Sequence, residues 1–221
     1  MLQTNCPKCK GVIESPHLKE LSSVKCGQCH EVVTVENVFV ATRGFTIHRG
    51  DLTNRISRYE KLLREVEAER TMMANDKTVS EKTSESFDHF CLTLHELLEG
   101  ARSHFRLKMT RELYLQMDSD HNKSKVKLID ISTGGASIEC EMLDNLPRPK
   151  AMITLQMTLP KFHEPISALA KVVWVRRLTE ESDAELYRIG VKFVNLDENA
   201  RTSLWSLITE GSVESSSFRA S

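Results

Sequence analysis

The apolar positions of this chain fall into distinct textures. Between about residues 51 and 72, Leu52, Ile56, Tyr59, Leu63 and Val66 alternate spacings of four and three, which places them on one stripe of a helix. Charged residues such as Arg55, Arg58, Glu60, Lys61, Arg64, Glu65 and Glu67 fill the gaps, and Asp51 or Thr53 can cap the start. A second amphipathic stretch, about 85–98, puts Phe87, Phe90, Cys91, Leu94, Leu97 and Leu98 on one face, with Gly100 where a helix would stop. The polar run 74–84 between them reads as a linker. About three heptads is marginal for an independent coiled coil. The two helices can pair as an intramolecular hairpin or oligomerise with other chains, and the pattern leaves both open.

From Leu107 onward the texture is β. Leu107, Met109, Leu113 and Leu115 flank a first strand, followed by strands over 126–131, 136–140, 152–159, 166–176 and 187–194. Turn chemistry separates them at His121-Asn122, Thr133-Gly134-Gly135, 145–149 and 180–183. Short strands at regular intervals predict an antiparallel barrel or sandwich. Residues 197–209 close it as a helix capped by Asp197 and packed through Leu204, Trp205, Leu207 and Ile208. The serine-rich end, 212–221, is expected to be disordered. The organisation expected is therefore a module over 1–42, a helical region over 51–99, a β domain over 101–209 and a tail. The class is mainly β with α.

Composition narrows the field. At 221 residues the chain suits two small domains, and 40% hydrophobic content is enough for a core. The formal net charge of −1 gives no long-range field for nucleic acid. No apolar run approaches the roughly 18 residues of a membrane span, and residues 1–6 lack a secretory pattern. A cytoplasmic protein with reduced thiols is expected.

In that setting the cysteines matter. Cys6-Pro7-Lys8-Cys9 and Cys26-Gly27-Gln28-Cys29 are two CxxC pairs sixteen residues apart, the spacing of a metal site. Four thiolates suit tetrahedral zinc and leave no open position for water, so the expected role is structural. Gly27 offers backbone freedom for such a knuckle, and His30 is not needed as a ligand. The stretch resembles a zinc ribbon over about forty residues. Zinc ribbons serve nucleic acids in some proteins and protein contacts in others. Here Lys8, Lys10, Lys19 and Lys25 are offset by Glu14, Glu20, Glu31 and Glu36, which favours protein contact or a purely structural role.

A second constellation lies at the edge of the β domain. Arg102 and Arg106 follow Gly100, and an arginine fork can pair bidentately with phosphate or with the O6 and N7 of guanine. About two dozen residues later, Asp130, Ser132 and Gly135 form a DxSxxG pattern at a strand end. Asp130 can accept from the guanine N1–H and N2–H₂ edge, and Ser132 can bond a phosphate or base. Gly134 and Gly135 allow a tight turn with positive φ and a close ligand approach. Taken singly, each pattern is more simply a pair of solvated charges and an ordinary turn.

In this order and spacing, however, the two patterns resemble the PilZ domain of bacterial cyclic di-GMP receptors. Ala168-Leu169-Ala170-Lys171-Val172-Val173-Trp174-Val175-Arg176-Arg177 resembles the family's late barrel strand, and Tyr187 through Leu196 its last strand. The resemblance covers about 110 residues and implies a six-stranded antiparallel β-barrel with a carboxy-terminal helix. It also implies that Arg102, Arg106, Asp130, Ser132 and Gly135 bind cyclic di-GMP. Ser103 stands where family members often carry a further arginine, which bears on affinity and on how many ligand molecules bind.

Catalysis has no comparable support. His104 lies between the arginines, but no histidine is fixed near Ser132, and no phosphate loop or HExxH motif occurs. Cys91, Cys140, Trp174 and Trp205 read as packing residues, with Trp174 a candidate to border the ligand. The reading is a non-enzymatic cyclic di-GMP effector with structural zinc. Its protein partner is unknown, and a homo-oligomer can form through the 51–99 helices. The alternatives are a zinc-ribbon nucleic-acid regulator and an oligomeric assembly protein whose barrel is ligand-free.

Overall fold

The computed structural model describes residues 1–74, 80–119, 122–141, 146–158, 165–178 and 185–217. The turn positions expected at His121, Asn145 and 180–183, the middle of the 74–84 linker and the last four residues lie outside these. The chain forms two compact units, Met1–His104 and Phe105–Ser221.

The first unit begins with β1 (Leu2–Asn5), β2 (Val12–Glu14), β3 (Ser23–Lys25), β4 (Val32–Thr34), β5 (Phe39–Ala41) and β6 (Thr46–His48). β1 and β2 join β5 and β6 in one antiparallel sheet of order β2-β1-β5-β6, and β3 pairs with β4 alone. Three helices follow: α1 (Arg49–Asn54), α2 (Ile56–Ala74) and α3 (Glu81–Ala101). The single helix expected over 51–72 is broken at Arg55. There the backbone N–H turns back to Leu52 O at 3.0 Å, a tight bond that resets the helix direction while leaving Leu52 fully buried.

α3 starts earlier than its apolar pattern suggests because the Ser80 side chain accepts from the Thr83 backbone N–H, an N-cap. It also runs through Gly100, which is not a stop signal. A Cβ at Gly100 would strike the Val40 side chain on β5, so the glycine serves helix-on-sheet packing. α2 and α3 form the intramolecular hairpin, with Arg70–Asp88 at 2.6 Å and Glu67–His95 at 3.2 Å along it. Leu63 and Val66 meet Cys91, Leu94 and Leu97, and the same core takes in Leu2, Leu18, Val40 and Leu52. One face of the ribbon sheet thus shares a core with the helices, because α3 packs its apolar face against β5.

The second unit is a closed barrel of order β10-β11-β12-β9-β8-β7, antiparallel throughout. Its strands are β7 (Leu107–Ser119), β8 (Asn122–Ser132), β9 (Gly135–Glu141), β10 (Met152–Met157), β11 (Ile166–Leu178) and β12 (Leu186–Asn195). Alternation works as expected of a sheet closed on itself: Ala136, Ile138 and Cys140 of β9 point into the core, and Glu139 lies between them outside. α4 (Glu198–Ser217) contributes Ala200, Leu204 and Ile208 to the core. Asp197 Oδ1 caps it by accepting from Ala200 N–H at 2.7 Å. The helix continues to Ser217, so the disordered tail expected from residue 212 begins inside it. Once nucleated, each added residue gains one backbone hydrogen bond, which outweighs the modest helix propensity of serine.

Candidate functional site

Two groups of residues carry chemistry, one in each unit. In the first unit, the cysteine pairs sit on two matching knuckles. Lys10 N–H bonds Cys6 O at 2.9 Å and Cys6 N–H bonds Gly11 O at 2.9 Å, closing the β1–β2 turn. The β3–β4 turn repeats this, with His30 N–H to Cys26 O at 3.0 Å and Cys26 N–H to Glu31 O at 2.8 Å. The left-handed residue each knuckle needs is Lys10 (φ 62°) or His30 (φ 59°), directly after the second cysteine. Gly27, expected to supply that freedom, has no positive φ. Lys8 and Glu31 bridge the knuckles at 2.6 Å.

The four Sγ atoms lie within 4.8 Å of one another. Cys6–Cys29 and Cys9–Cys26 are both 3.6 Å apart. Bonds of 2.3 Å to a tetrahedral zinc would set sulfurs about 3.8 Å apart, so the set fits the metal. It does not fit a disulfide, whose sulfurs sit about 2 Å apart. The backbone N–H groups of Cys9 and Lys8 point at Cys6 and lower its pKa against the effect of burial. Those of Cys29 and Gln28 bring Cys26 down to about 6. Both arrangements favour the thiolate that a cation needs. At Cys29 the backbone N–H of Glu31 acts the same way, but burial and the sulfurs of Cys6, Cys9 and Cys26 outweigh it and push the thiol up to about 12.

In the second unit, Asp130, Ser132 and Gly135 come together at the β8–β9 turn, where Ser132 pairs with Gly135 across a two-residue connection. Ser132 is buried, and its hydroxyl donates to Gly135 O at 3.0 Å. β12 braces the turn through Phe193 N–H to Gly134 O at 3.0 Å. Gly135 is required for close approach, since a Cβ there would strike the Val191 carbonyl oxygen; neither it nor Gly134 has the positive φ expected of them.

Arg106, just before β7, reaches this turn: its Nη1 is 3.4 Å from Asp130 Oδ1. That is longer than the ~2.7–2.9 Å of a strong charge-assisted bond. The guanidinium is also well exposed, so the pair is loose. Arg102 belongs to the first unit, where it forms the extended cap of α3 (φ −58°, ψ 149°). Lys19 and Arg49 are charged neighbours there.

Trp174, read from the sequence as a packing residue and a candidate to border the ligand, lies in the same row as the motif residues. Across the strands, Asp130 pairs with Ser137, Ser137 with Gly190 and Gly190 with Trp174, all on the outer face. A Cβ at Gly190 would enter the Trp174 indole, so the ring packs directly against the glycine. A glycine inside a strand pattern opposite an aromatic residue was the signal.

The model of the PilZ domain family matches residues 101–210. Residues 101–210 are a PilZ domain. Several solved structures are similar to it at low identity. The PilZ domain of YcgR from Escherichia coli with c-di-GMP is 15% identical, with a TM-score of 0.44, over 54% of this chain and 97% of that one. The MrkH–c-di-GMP complex of K. pneumonia is 16% identical, with a TM-score of 0.45, over 52% and 54%. The Bacillus subtilis inhibitor of motility MotI/DgrA is 16% identical, with a TM-score of 0.41, over 51% and 52%, so the match spans about half of that protein. A search of curated protein sequences returned no match. No helix among the described residues is long and apolar enough to cross a membrane.

Proposed function

We propose that the chain is a cyclic di-GMP receptor, with Arg102, Arg106, Asp130, Ser132 and Gly135 as its ligand-binding residues and one structural zinc on Cys6, Cys9, Cys26 and Cys29. The observation that carries this reading is the Arg106–Asp130 pair beside the braced glycine turn of a PilZ domain. A loose, exposed ion pair is worth about 0–1 kcal/mol, so exchanging it for ligand contacts costs little. Arg106 would then fork onto phosphate or onto guanine O6 and N7, while Asp130 accepts from the guanine N1–H and N2–H₂ edge. The Ser132 proton is already used by the turn, which leaves that oxygen to accept from the ligand. Trp174 offers an aromatic face on the same outer row.

A ligand held by both arginines biases how the chain is arranged, or which partner it binds, only through its differential affinity for the alternatives. The setting is the cytoplasm, and the role is binding without catalysis. The test is calorimetric titration of cyclic di-GMP into the wild type and into Arg102→Ala/Arg106→Ala. Saturable binding by the wild type that the double variant loses is expected. Equal binding by both, or none by the wild type, sinks the reading.

A further inference from the structure

Arg49 belongs to neither the cysteine site nor the motif, yet its side chain makes three hydrogen bonds at the end of α3. It is the first residue of α1 and follows β6 directly. Its backbone N–H donates to Val38 O at 2.9 Å, which ties it to the ribbon sheet. Its side chain then forks onto three successive carbonyls. Nε donates to Gly100 O at 3.2 Å, and Nη2 donates to Ala101 O at 3.2 Å and to Arg102 O at 3.0 Å.

Those carbonyls belong to the last residues of α3 and its cap, where a helix runs out of backbone donors. A cation there also faces the negative end of the helix dipole. The cap's own return bond, Arg102 N–H to Glu99 O, is long at 3.3 Å. Where the chain leaves α3, this one side chain therefore spans three successive carbonyls. Nearby, His104 Nδ1 lies 3.6 Å from Glu20, and Lys19 is a further charged neighbour of Arg49 and Arg102. Side chains from the amino-terminal 49 residues thus meet the chain on both sides of Arg102, Arg49 through backbone carbonyls and Glu20 through the His104 side chain.

We infer that Arg49 is a positioning residue for nucleotide binding: by clasping the carbonyls of Gly100, Ala101 and Arg102, it presets the backbone from which Arg102 projects. This rests on the proposed role of Arg102 in holding cyclic di-GMP. Without the clasp the segment samples other exits from α3, and apparent affinity falls in proportion to the competent fraction. A lysine puts a single point charge where a planar fork spans three oxygens, so it replaces the clasp poorly.

The experiment is calorimetric titration of cyclic di-GMP into the full chain as wild type, Arg49→Ala, Arg49→Lys, Arg102→Ala and Arg49→Ala/Arg102→Ala, each first shown to be folded by circular dichroism. If release leaves about a tenth of the molecules competent, Arg49→Ala raises Kd about tenfold. Arg49→Lys raises it several-fold. In the Arg102→Ala background, removing Arg49 adds no further loss, because the residue it positions is gone. A merely structural cap would lower the melting temperature and leave Kd unchanged. Wild-type affinity in both Arg49 variants overturns the inference, as does a loss of equal size with and without Arg102. If Arg49→Ala does not fold, Arg49→Lys and Arg49→Lys/Arg102→Ala carry the same comparison. Failure of the wild type to bind overturns the receptor reading itself.

Discussion

In the barrel, inward residues of six strands and α4 make one continuous core running from Leu107 to Ile208 in sequence. The amino-terminal unit divides its apolar burial in two. One core joins the α2–α3 hairpin to a face of the ribbon sheet around Leu52, Leu94 and Leu97. The other, inside the knuckles, consists of Cys6, Ile13, Cys26 and Val33, with Val24 and Cys29 at its margin. Two buried aliphatic side chains contribute roughly 1.5–3 kcal/mol each. Ordering the backbone costs about 1–2 kcal/mol per residue, so this small core cannot by itself hold strands of three or four residues. The barrel is held by many interchangeable packing contacts, whereas the knuckles depend on what joins four sulfurs. Loss of one contact should therefore have graded effects in one region and all-or-none effects in the other.

The sharpest way to break that contrast is to remove the metal. Structural zinc in small peptides contributes about 10–16 kcal/mol of apparent binding energy, comparable with the whole stability of a domain. Chelation, or Cys6→Ala/Cys26→Ala, should abolish amide-exchange protection over the two knuckles and the β3–β4 pair while β7 to β12 keep theirs. Retained protection in the knuckles would show that their small core suffices. Next in size is Leu155→Ala in the barrel, where Leu155 is fully buried. It should lower barrel stability by about 2–5 kcal/mol in denaturant titration and leave metal content unchanged.

The smallest effect is one of pH and concerns the larger core of the first unit. Burial, reinforced by Arg49 and Arg102 and opposed by Glu20, lowers Lys19 to about 8 from its usual 10.5. The unfolded chain therefore binds more protons between about pH 8 and 10.5, and stability rises with pH across that window. Below it, Lys19 is charged in both states and its full cost is present. Relative to Lys19→Gln, the wild type should gain stability between pH 7.5 and pH 10. A constant difference between the two would show that solvent screens the lysine completely.

Much of the second unit was legible because alternation with a period of two, turn residues and a closing helix all point the same way. The strand positions, the Asp197 cap and the glycine turn follow from that agreement. The turn's conformation was not legible. Gly135 is there because β12 passes close by, and a linear sequence does not show which strand will be adjacent. The first unit was less readable for the same reason. The stripe from Leu52 to Val66 is real, but the break at Arg55 and the passage of α3 through Gly100 depend on fitting helices to a sheet whose face cannot be seen in advance. The cysteine spacing announced the cluster, although the left-handed positions fell to Lys10 and His30. Arg49 left no signal, since a lone arginine before a helix specifies no carbonyls.

The close-packed glycines also set different evolutionary rules. At Gly100 and Gly190 the obstacle is a side chain, Val40 or Trp174. A lineage can place a methyl group there if the opposing residue shrinks, so these pairs should co-vary among relatives. At Gly135 the obstacle is the Val191 main chain, which no substitution can trim. That position has no compensating partner, and drift there is closed as long as the barrel keeps its register.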